Sequence, residues 1–311
     1  MIRFHVLVSL LALSFLILSC QKEEDAIPVP GDPSNAKCLL TSIQDFRDGK
    51  VEEKMTFSFN NLYLVTSLTD SLANGDWFFK FSYDSLGRIN QSRKYLGEES
   101  LYPQFKSEIE YLGDTVAIIR YKWYETNSPV GEYYRGEKNY LNRDGEVIRM
   151  EELKYNDGEW VEGNDYYILT WKKGNLIRIE NYDNYSQISS LNLNKKTIIE
   201  FLQPACFYFP SEHSVQLKSI TREYHLAGTT YFEYDSGNNP YRPLSNISGV
   251  SGFNVSKNNP LKARVVYSNQ EEETTDYAYV YNEYDYPVQI KVFNNNEQST
   301  MDLEYNIRED I

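Results

Sequence analysis

Phe78-Phe79-Lys80-Phe81-Ser82-Tyr83, then Asp84-Ser85-Leu86-Gly87, then Arg88-Ile89-Asn90-Gln91-Ser92: this stretch decides how the chain is read. Both flanks are built of short runs that alternate in character from one residue to the next. Period two puts successive side chains on opposite faces of an extended strand. Between the flanks, an Asp side chain can bond backbone amides two residues on, and a Gly three residues later accepts the positive φ of a tight turn. The stretch therefore predicts a β-hairpin.

Working outward, the same plan returns. Glu108-Ile109-Glu110-Tyr111 leads through Leu112-Gly113-Asp114 to Val116-Ala117-Ile118-Ile119-Arg120-Tyr121. Lys138-Asn139-Tyr140-Leu141 turns through Asn142-Arg143-Asp144-Gly145 into Glu146-Val147-Ile148-Arg149-Met150. Tyr166 to Trp171 turns at Lys172-Lys173-Gly174-Asn175 into Leu176-Ile177-Arg178-Ile179, and Ala278 to Tyr281 turns at Asn282-Glu283-Tyr284-Asp285 into Val288 to Val292. Aromatic and β-branched residues suit strands, and short strands at even spacing suggest an all-β arrangement. The expected fold is an antiparallel meander of repeated hairpins, forming a large curved sheet or a partly open barrel across residues 37–311. Asp183 to Ser214 is less regular and carries Pro204, Cys206 and Pro210. It reads either as a long connection or as a sub-boundary within 184–214.

Tyr83-Asp84-Ser85-Leu86-Gly87-Arg88-Ile89 resembles the Tyr-Asp repeat of Rhs-type proteins, in which Tyr-Asp is followed by a short gap, Gly-Arg and an apolar residue. Asp144-Gly145 keeps the turn without the preceding Tyr-Asp, Tyr234-Asp235-Ser236-Gly237 lacks the Arg, and Tyr284-Asp285-Tyr286-Pro287 replaces the Gly. The region also resembles uncharacterised Bacteroidota lipoproteins with degenerate repeats of this kind, whose late Asn-Pro turns are matched by Asn239-Pro240-Tyr241 and Asn259-Pro260-Leu261. The resemblance implies an extended, curved antiparallel sheet and no activity. The repeats are too few for the toxin-enclosing shell of true Rhs proteins.

The N-terminus carries an address. Arg3 supplies a positive charge, Val6 to Leu18 is apolar apart from Ser9 and Ser14, and Ile17-Leu18-Ser19-Cys20 follows. This is the layout of a secretory signal over 1–19, shorter than a permanent membrane span. Apolar, small, then Cys resembles the bacterial lipobox, which implies cleavage before Cys20 and lipidation of its thiol, a stable anchor. Gln21-Lys22-Glu23-Glu24-Asp25 resembles the acidic export tag of Bacteroidota surface lipoproteins, and it reads equally as a solvated linker. With Pro28, Pro30 and Pro33, residues 20–36 form an extended tether. The expected location is the outer membrane, lipid-anchored, at the cell surface.

Composition narrows the function. The formal net charge is −14, and cleavage would remove Arg3 and no acid, so nucleic acid is excluded as a partner. Past the signal only His213 and His225 remain, in no metal or hydrolase motif. No catalytic residue is nominated and no cofactor is required. Acid runs such as Glu98-Glu99, Glu151-Glu152 and Glu271-Glu272-Glu273 read as solvated turns and edges. Metal binding is unknown: Asn156-Asp157-Gly158-Glu159 with Glu162-Gly163-Asn164-Asp165 reads either as an oxygen-rich calcium loop or as a plain hairpin tip. Cys38 and Cys206 form a candidate disulfide or are two buried thiols.

Aromatic residues are the best functional signal, among them Tyr102, Tyr133, Tyr134 and Tyr167. Trp123, Trp160 and Trp171 are candidate ligand-stacking residues, and the alternative is cross-strand ladders that hold the sheet. Ser71, Ser85 and Thr115 lie in Asp-Ser/Thr-apolar tripeptides that resemble the O-glycosylation acceptor of Bacteroides-like bacteria. The leading expectation is a non-enzymatic, surface-exposed lipoprotein that binds a glycan or protein partner. A glycan-binding accessory protein is the narrower alternative, and a glycoside hydrolase with an unrecognised site is the alternative from another class.

Overall fold

The structure is a computed structural model that describes residues 38–47, 50–72, 75–125, 128–183, 224–242, 256–294 and 297–308. The expected signal peptide and tether, Cys20, Cys206, His213 and the candidate boundary within 184–214 lie outside the described residues.

Sixteen strands follow one another along the chain: β1 (Cys38–Arg47), β2 (Lys50–Phe59), β3 (Val65–Leu72), β4 (Gly75–Tyr83), β5 (Ile89–Leu96), β6 (Phe105–Leu112), β7 (Val116–Tyr124), β8 (Gly131–Leu141), β9 (Val147–Asn156), β10 (Glu159–Lys172), β11 (Asn175–Asp183), β12 (His225–Asn238), β13 (Asn258–Tyr267), β14 (Glu272–Tyr281), β15 (Pro287–Asn294) and β16 (Glu297–Ile307). Each pairs antiparallel with its neighbours in sequence, and β1 pairs with β16, so the meander closes into a barrel. Of the two expected forms, curved sheet or partly open barrel, the chain takes the barrel and completes it. Closure satisfies both edge strands, which would otherwise present unpaired backbone groups. β11 pairs directly with β12, so the strands on either side of residues 184–223 share one barrel.

Closure gives the alternation its meaning, because one face of every strand now points inward. Following opposed residues around the barrel, Ile43, Met55, Asp70, Trp77, Leu96 and their neighbours at period two lie on the inner side. The inner face carries one continuous apolar cluster that includes Leu40, Phe57, Leu68, Phe79, Phe81, Ile109, Ile119, Leu169, Ile179, Phe232, Val265, Ile290 and Leu303. The outer face carries charge. Arg120 pairs with Glu110 at 2.7 Å, Arg149 with Glu151 at 2.7 Å, Arg264 with Glu272 at 3.0 Å, and Lys262 with Asp276 at 3.5 Å. Outward apolar residues such as Val280 and Phe293 stand singly, and outward Phe78 and Tyr95 pair across β4 and β5 beneath the Lys80 ammonium.

One end of the barrel is built by a repeated turn. Asp84 Oδ1 accepts hydrogen bonds from the amides of Leu86 and Arg88, both at 2.9 Å, and Gly87 takes φ 76°. The same arrangement recurs at Asn60 with Leu62 and Leu64, at Asn142 with Asp144 and Glu146, and at Asn282 with Tyr284 and Tyr286. The positive-φ position is Gly145 in one of these, but Tyr63 and Asp285 in the other two. An Asx side chain at the turn's first residue is therefore the constant element, and Gly is optional.

A second device locks successive hairpins together. The hydroxyl of Tyr83 donates to the carbonyl of Val65 at 2.7 Å, that of Tyr111 to Ile89 at 3.0 Å, that of Tyr234 to Leu176 at 2.5 Å, and that of Tyr305 to Pro287 at 2.6 Å. Tyr279 reaches Pro260 in the same way, and the indole N–H of Trp171 reaches Val147 at 2.8 Å. Each ring buries its apolar body and ties its polar tip to a strand start in the preceding hairpin. Each such bond is worth about 1 kcal/mol.

Candidate functional site

The inside of the barrel is divided by chemistry. At the Asx-turn end, inward residues are apolar and the tyrosine clasps close the packing. Toward the other end the inward positions become polar. Membrane barrels of this strand number leave an aqueous channel; here inward side chains form one buried apolar cluster.

The densest polar group sits on β8–β11. Glu137 on β8 faces Glu152 on β9, Arg135 faces Lys154, and Asp165 on β10 faces Asp183 on β11. Exposure falls with depth: the side chains of Lys154 and Arg135 are 24% and 22% exposed, Glu152 is 13% exposed, Glu137 3% and Asn139 0%. Glu152 collects the cations, with Arg135 Nε at 3.6 Å and Lys154 Nζ at 3.9 Å, and it accepts the Asn164 amide at 2.9 Å. Gly163 makes this possible, because a Cβ there would stand 2.4 Å from the Glu152 carboxylate.

The neighbouring acids are less well served. Burial pushes the Glu137 carboxyl up, against the opposing pull of Arg135, Tyr121 and Asn139. Burial raises Asp165 to about 7, helped by Glu152 and Asp183 and opposed by Arg135 and Lys154. Glu137 Oε2, Asp165 Oδ1 and Asn181 Oδ1 are buried without a hydrogen-bond partner.

A second acidic group lies on the β1–β3 arc. Asp45 faces Glu53, and Asp70 faces Met55. Burial raises Glu53 to about 7, reinforced by Asp70 and Asp45, with Lys94 pulling the other way. The Lys94 ammonium stands 4.0 Å from the centre of the Trp77 ring, a favourable seat for a cation. Among the described residues, no group of three or more His, Cys, Asp or Glu could hold a metal ion.

The tryptophans singled out in the sequence do not come together. Trp123 faces inward at the polar end of β7, opposite Phe105 and Glu132. Trp171 is a clasp at the apolar end. Trp160 lies on the outer wall across Gly136, with ring centres 5.3 Å from Tyr133 and 5.1 Å from Tyr155. Beside that cluster, the Lys122 ammonium stands over Tyr133 at 4.2 Å, and the Tyr133 hydroxyl donates to Glu108 at 2.7 Å. Burial opposes ionisation of Glu108, but hydrogen bonds from Lys106 and Tyr133 outweigh it and hold its pKa low.

Ser85 and Thr115 sit exposed in turns at the Asx-turn end, whereas Ser71 is half-buried within β3. Cys38 is buried at the start of β1, with the Asn282 amide 3.9 Å from its sulfur. The oxygen-rich segment is not one loop. Asp157 and Gly158 form a two-residue turn with φ 49° and 91°, while Glu162 to Asp165 belongs to β10. Glu151-Glu152 is not a solvated edge either: adjacent strand residues point to opposite faces, so Glu151 faces out to Arg149 and Glu152 faces in. The sequence reading missed Glu137, Asn139, Asp165 and Asp183 as a group, since they are spread over β8, β10 and β11 and only closure of the sheet shows that they share one interior.

No family model matches the chain, and no curated protein matches it. Among solved structures, a porin-like protein from Bacteroides vulgatus aligns over 86% of this chain and 99% of its own, at 12% identity and a TM-score of 0.38. A porin-like protein from Bacteroides uniformis aligns over 85% and 96%, at 10% identity and a TM-score of 0.39. The TcdB2-TccC3-Cdc42 structure aligns over 81% of this chain and 12% of its own, at 12% identity and a TM-score of 0.22. Likeness at this level assigns no activity, and the fold rests on the strand pairing itself.

Proposed function

We propose that this chain is a lipid-anchored outer-membrane protein whose barrel stands in water on the cell surface and acts as a non-enzymatic binding module. The polarity of the barrel wall carries the reading. A lipid-spanning barrel shows an apolar band outward, and Arg or Lys at its midplane costs roughly 2–4 kcal/mol each. Here ion pairs run along the outer wall and the apolar cluster lies inside. Such a barrel needs a separate means of staying at a membrane, and lipid on Cys20 supplies one.

The test is metabolic labelling with palmitate and protease treatment of intact cells, comparing wild type with Cys20→Ala. The expected result is label on wild type only and digestion of the barrel at the surface. Absence of label from wild type overturns the anchor, and protection of the barrel from protease overturns the surface location. In planar bilayers the purified protein is expected to add no conductance, and stable channels would overturn the water-facing barrel.

Glycan binding is the narrower reading, and the outer cluster of Tyr133, Tyr155 and Trp160 favours it, since flat rings beside charged hydrogen-bonding groups suit sugars. Trp160→Ala is expected to abolish any glycan-array signal, and a signal unchanged in that variant would remove this reading.

A further inference from the structure

The two rims of the barrel carry different surfaces. At the Asx-turn end, Leu62, Leu86 and Leu112 stand 71%, 61% and 47% exposed at the β2–β3, β4–β5 and β6–β7 turns. These turns are neighbours around the rim, roughly 10 Å apart at the usual strand spacing. Single exposed apolar side chains are ordinary, but three at successive turns form an arc. The turn itself does not require them. Leu62 and Leu86 hold the third position of the Asx turn, which Asp144 fills between β8 and β9.

Further around the same rim the surface is basic. Lys172 and Lys173 are exposed at the β10–β11 turn, and Arg242 and Lys257 come to the same place from the connection between β12 and β13. The Lys257 amide donates to the Gly174 carbonyl at 2.7 Å, and a Cβ on Gly174 would stand 3.7 Å from the Arg242 guanidinium. Four cations therefore gather around one turn. Glu146, from the β8–β9 turn, attracts Arg242, and the exposed acids Asp114, Asp144, Glu283 and Asp285 lie on other turns of this rim. The opposite rim is acidic, with Glu98, Glu99, Glu125, Asp157, Glu159 and Glu271 exposed against Lys50. Leu101 and Val130 are also exposed there, but they share their loops with Glu98, Glu99 and Glu125.

An apolar arc beside a basic cluster matches a lipid interface, where apolar side chains enter the acyl boundary and Lys and Arg meet phosphates. An acidic rim is repelled by the same surface. The start of the barrel selects the same end. Cys38 opens β1, and its sulfur lies 3.9 Å from the side-chain amide of Asn282, the first residue of an Asx turn. The chain that leads back to Cys20 therefore leaves the barrel at the Asx-turn rim. We propose that this rim rests on the membrane, with Leu62, Leu86 and Leu112 in the lipid interface and Lys172, Lys173, Arg242 and Lys257 against the phosphates of anionic headgroups. The contact is shallow, so the barrel wall stays in water, and the acidic rim faces away from the membrane. The proposal deepens the anchored-barrel reading and rests on it for the lipid at Cys20, whereas the contact itself is a property of the turns.

The test uses the full-length protein in membranes of its host, with single nitroxide labels at Leu62, Leu86, Leu112, Leu101 and Val130. Labelling of the unsubstituted protein sets the background from its own cysteines. Collision with oxygen and protection from a water-soluble nickel complex are expected at Leu62, Leu86 and Leu112, and free nickel collision at Leu101 and Val130. Lys172→Glu combined with Lys173→Glu is expected to raise nickel collision at Leu86 at least twofold, while Glu110→Gln leaves it unchanged. Thermal melting of the double variant is expected to match wild type, since both lysines are exposed. Palmitate incorporation, read on the same membranes, separates the two readings. Free nickel collision at all five positions with palmitate present overturns the contact and leaves the anchor. Protected leucines without palmitate support the contact and remove the anchor. Recovery of the chain in the soluble fraction overturns both. Protection at Leu101 and Val130 instead would reverse the orientation, and protection of the leucines from nickel and oxygen alike would put a protein partner on the rim; either result overturns the proposal.

Discussion

The two halves of the barrel interior obey different rules. At the Asx-turn end, hairpin after hairpin repeats an Asn or Asp cap, a bulged strand end and an aromatic clasp onto the preceding hairpin. The residues there are apolar, and Leu40, Leu68 and Phe79 are completely buried. Toward the opposite end the inward positions carry acids and bases instead: Glu53 faces Asp45, Arg135 faces Lys154, Glu137 faces Glu152, and Asp165 faces Asp183. One half therefore supplies stability through repetition, and the other is free to vary. A binding site is expected in the second, where stability has been traded for unsatisfied polar groups.

The largest effect should come from the apolar cluster. Phe79→Ala removes a completely buried ring and is expected to cost about 3–5 kcal/mol, read by denaturant melts. The conservative reversal in the polar half, Glu137→Gln, should cost nothing or stabilise, because it removes a desolvated charge. If both substitutions cost the same, the division of the interior is wrong.

Next in size are the clasps. Tyr305→Phe keeps the ring and removes the hydroxyl that reaches Pro287, leaving that carbonyl unpaired. About 1–2 kcal/mol is expected, with a similar loss at Tyr83→Phe. At Leu141, where the repeat has no hydroxyl to lose, Leu141→Phe should show no comparable hydrogen-bond term in the same melts.

The pH dependence sharpens the contrast. Asp165 and Glu53 stand at about 7 in the fold, against ordinary values of 3.8 and 4.5. The folded state therefore binds protons more tightly than the unfolded chain. These groups favour the fold at low pH, and their contribution is lost as pH rises from about 4 to 7. On the order of 1 kcal/mol per group is expected after solvent screening. Asp165→Asn should flatten the decline in melting temperature between pH 5 and pH 8, whereas Phe79→Ala should lower the curve without changing its slope.

The smallest effect belongs to the outer wall. Glu110→Gln breaks a half-exposed pair with Arg120 and should cost at most about 0.5 kcal/mol, less in high salt.

Much of the apolar half was legible in the sequence. Tyr83-Asp84-Ser85-Leu86-Gly87 declares its turn because cap, glycine and clasp are all present. The turn at Asn60 is harder to read, since Tyr63 occupies the left-handed position where glycine is expected, whereas the turn at Asn282 is legible although Asp285 takes that position. The Asx cap was the better signal. Closure was not legible, because the Cys38 to Ile307 pairing joins the first and last strands of the barrel, far apart in sequence, and leaves no local trace. Without closure, alternation does not say which face is inside. That is why Glu151 and Glu152 looked alike, and why the interior acids could not be grouped before the barrel was known.

The most direct test of the account is the environment of the outer wall. Nitroxide labels placed at Glu110, Glu151 and Asp276 in the full-length protein, in membranes of its host, can be probed for collision with a water-soluble nickel complex and with oxygen. Ready collision with the nickel complex is expected at all three positions, as for a barrel whose outer wall stands in water. Protection from nickel with strong oxygen collision at these positions would place the wall in lipid and contradict it.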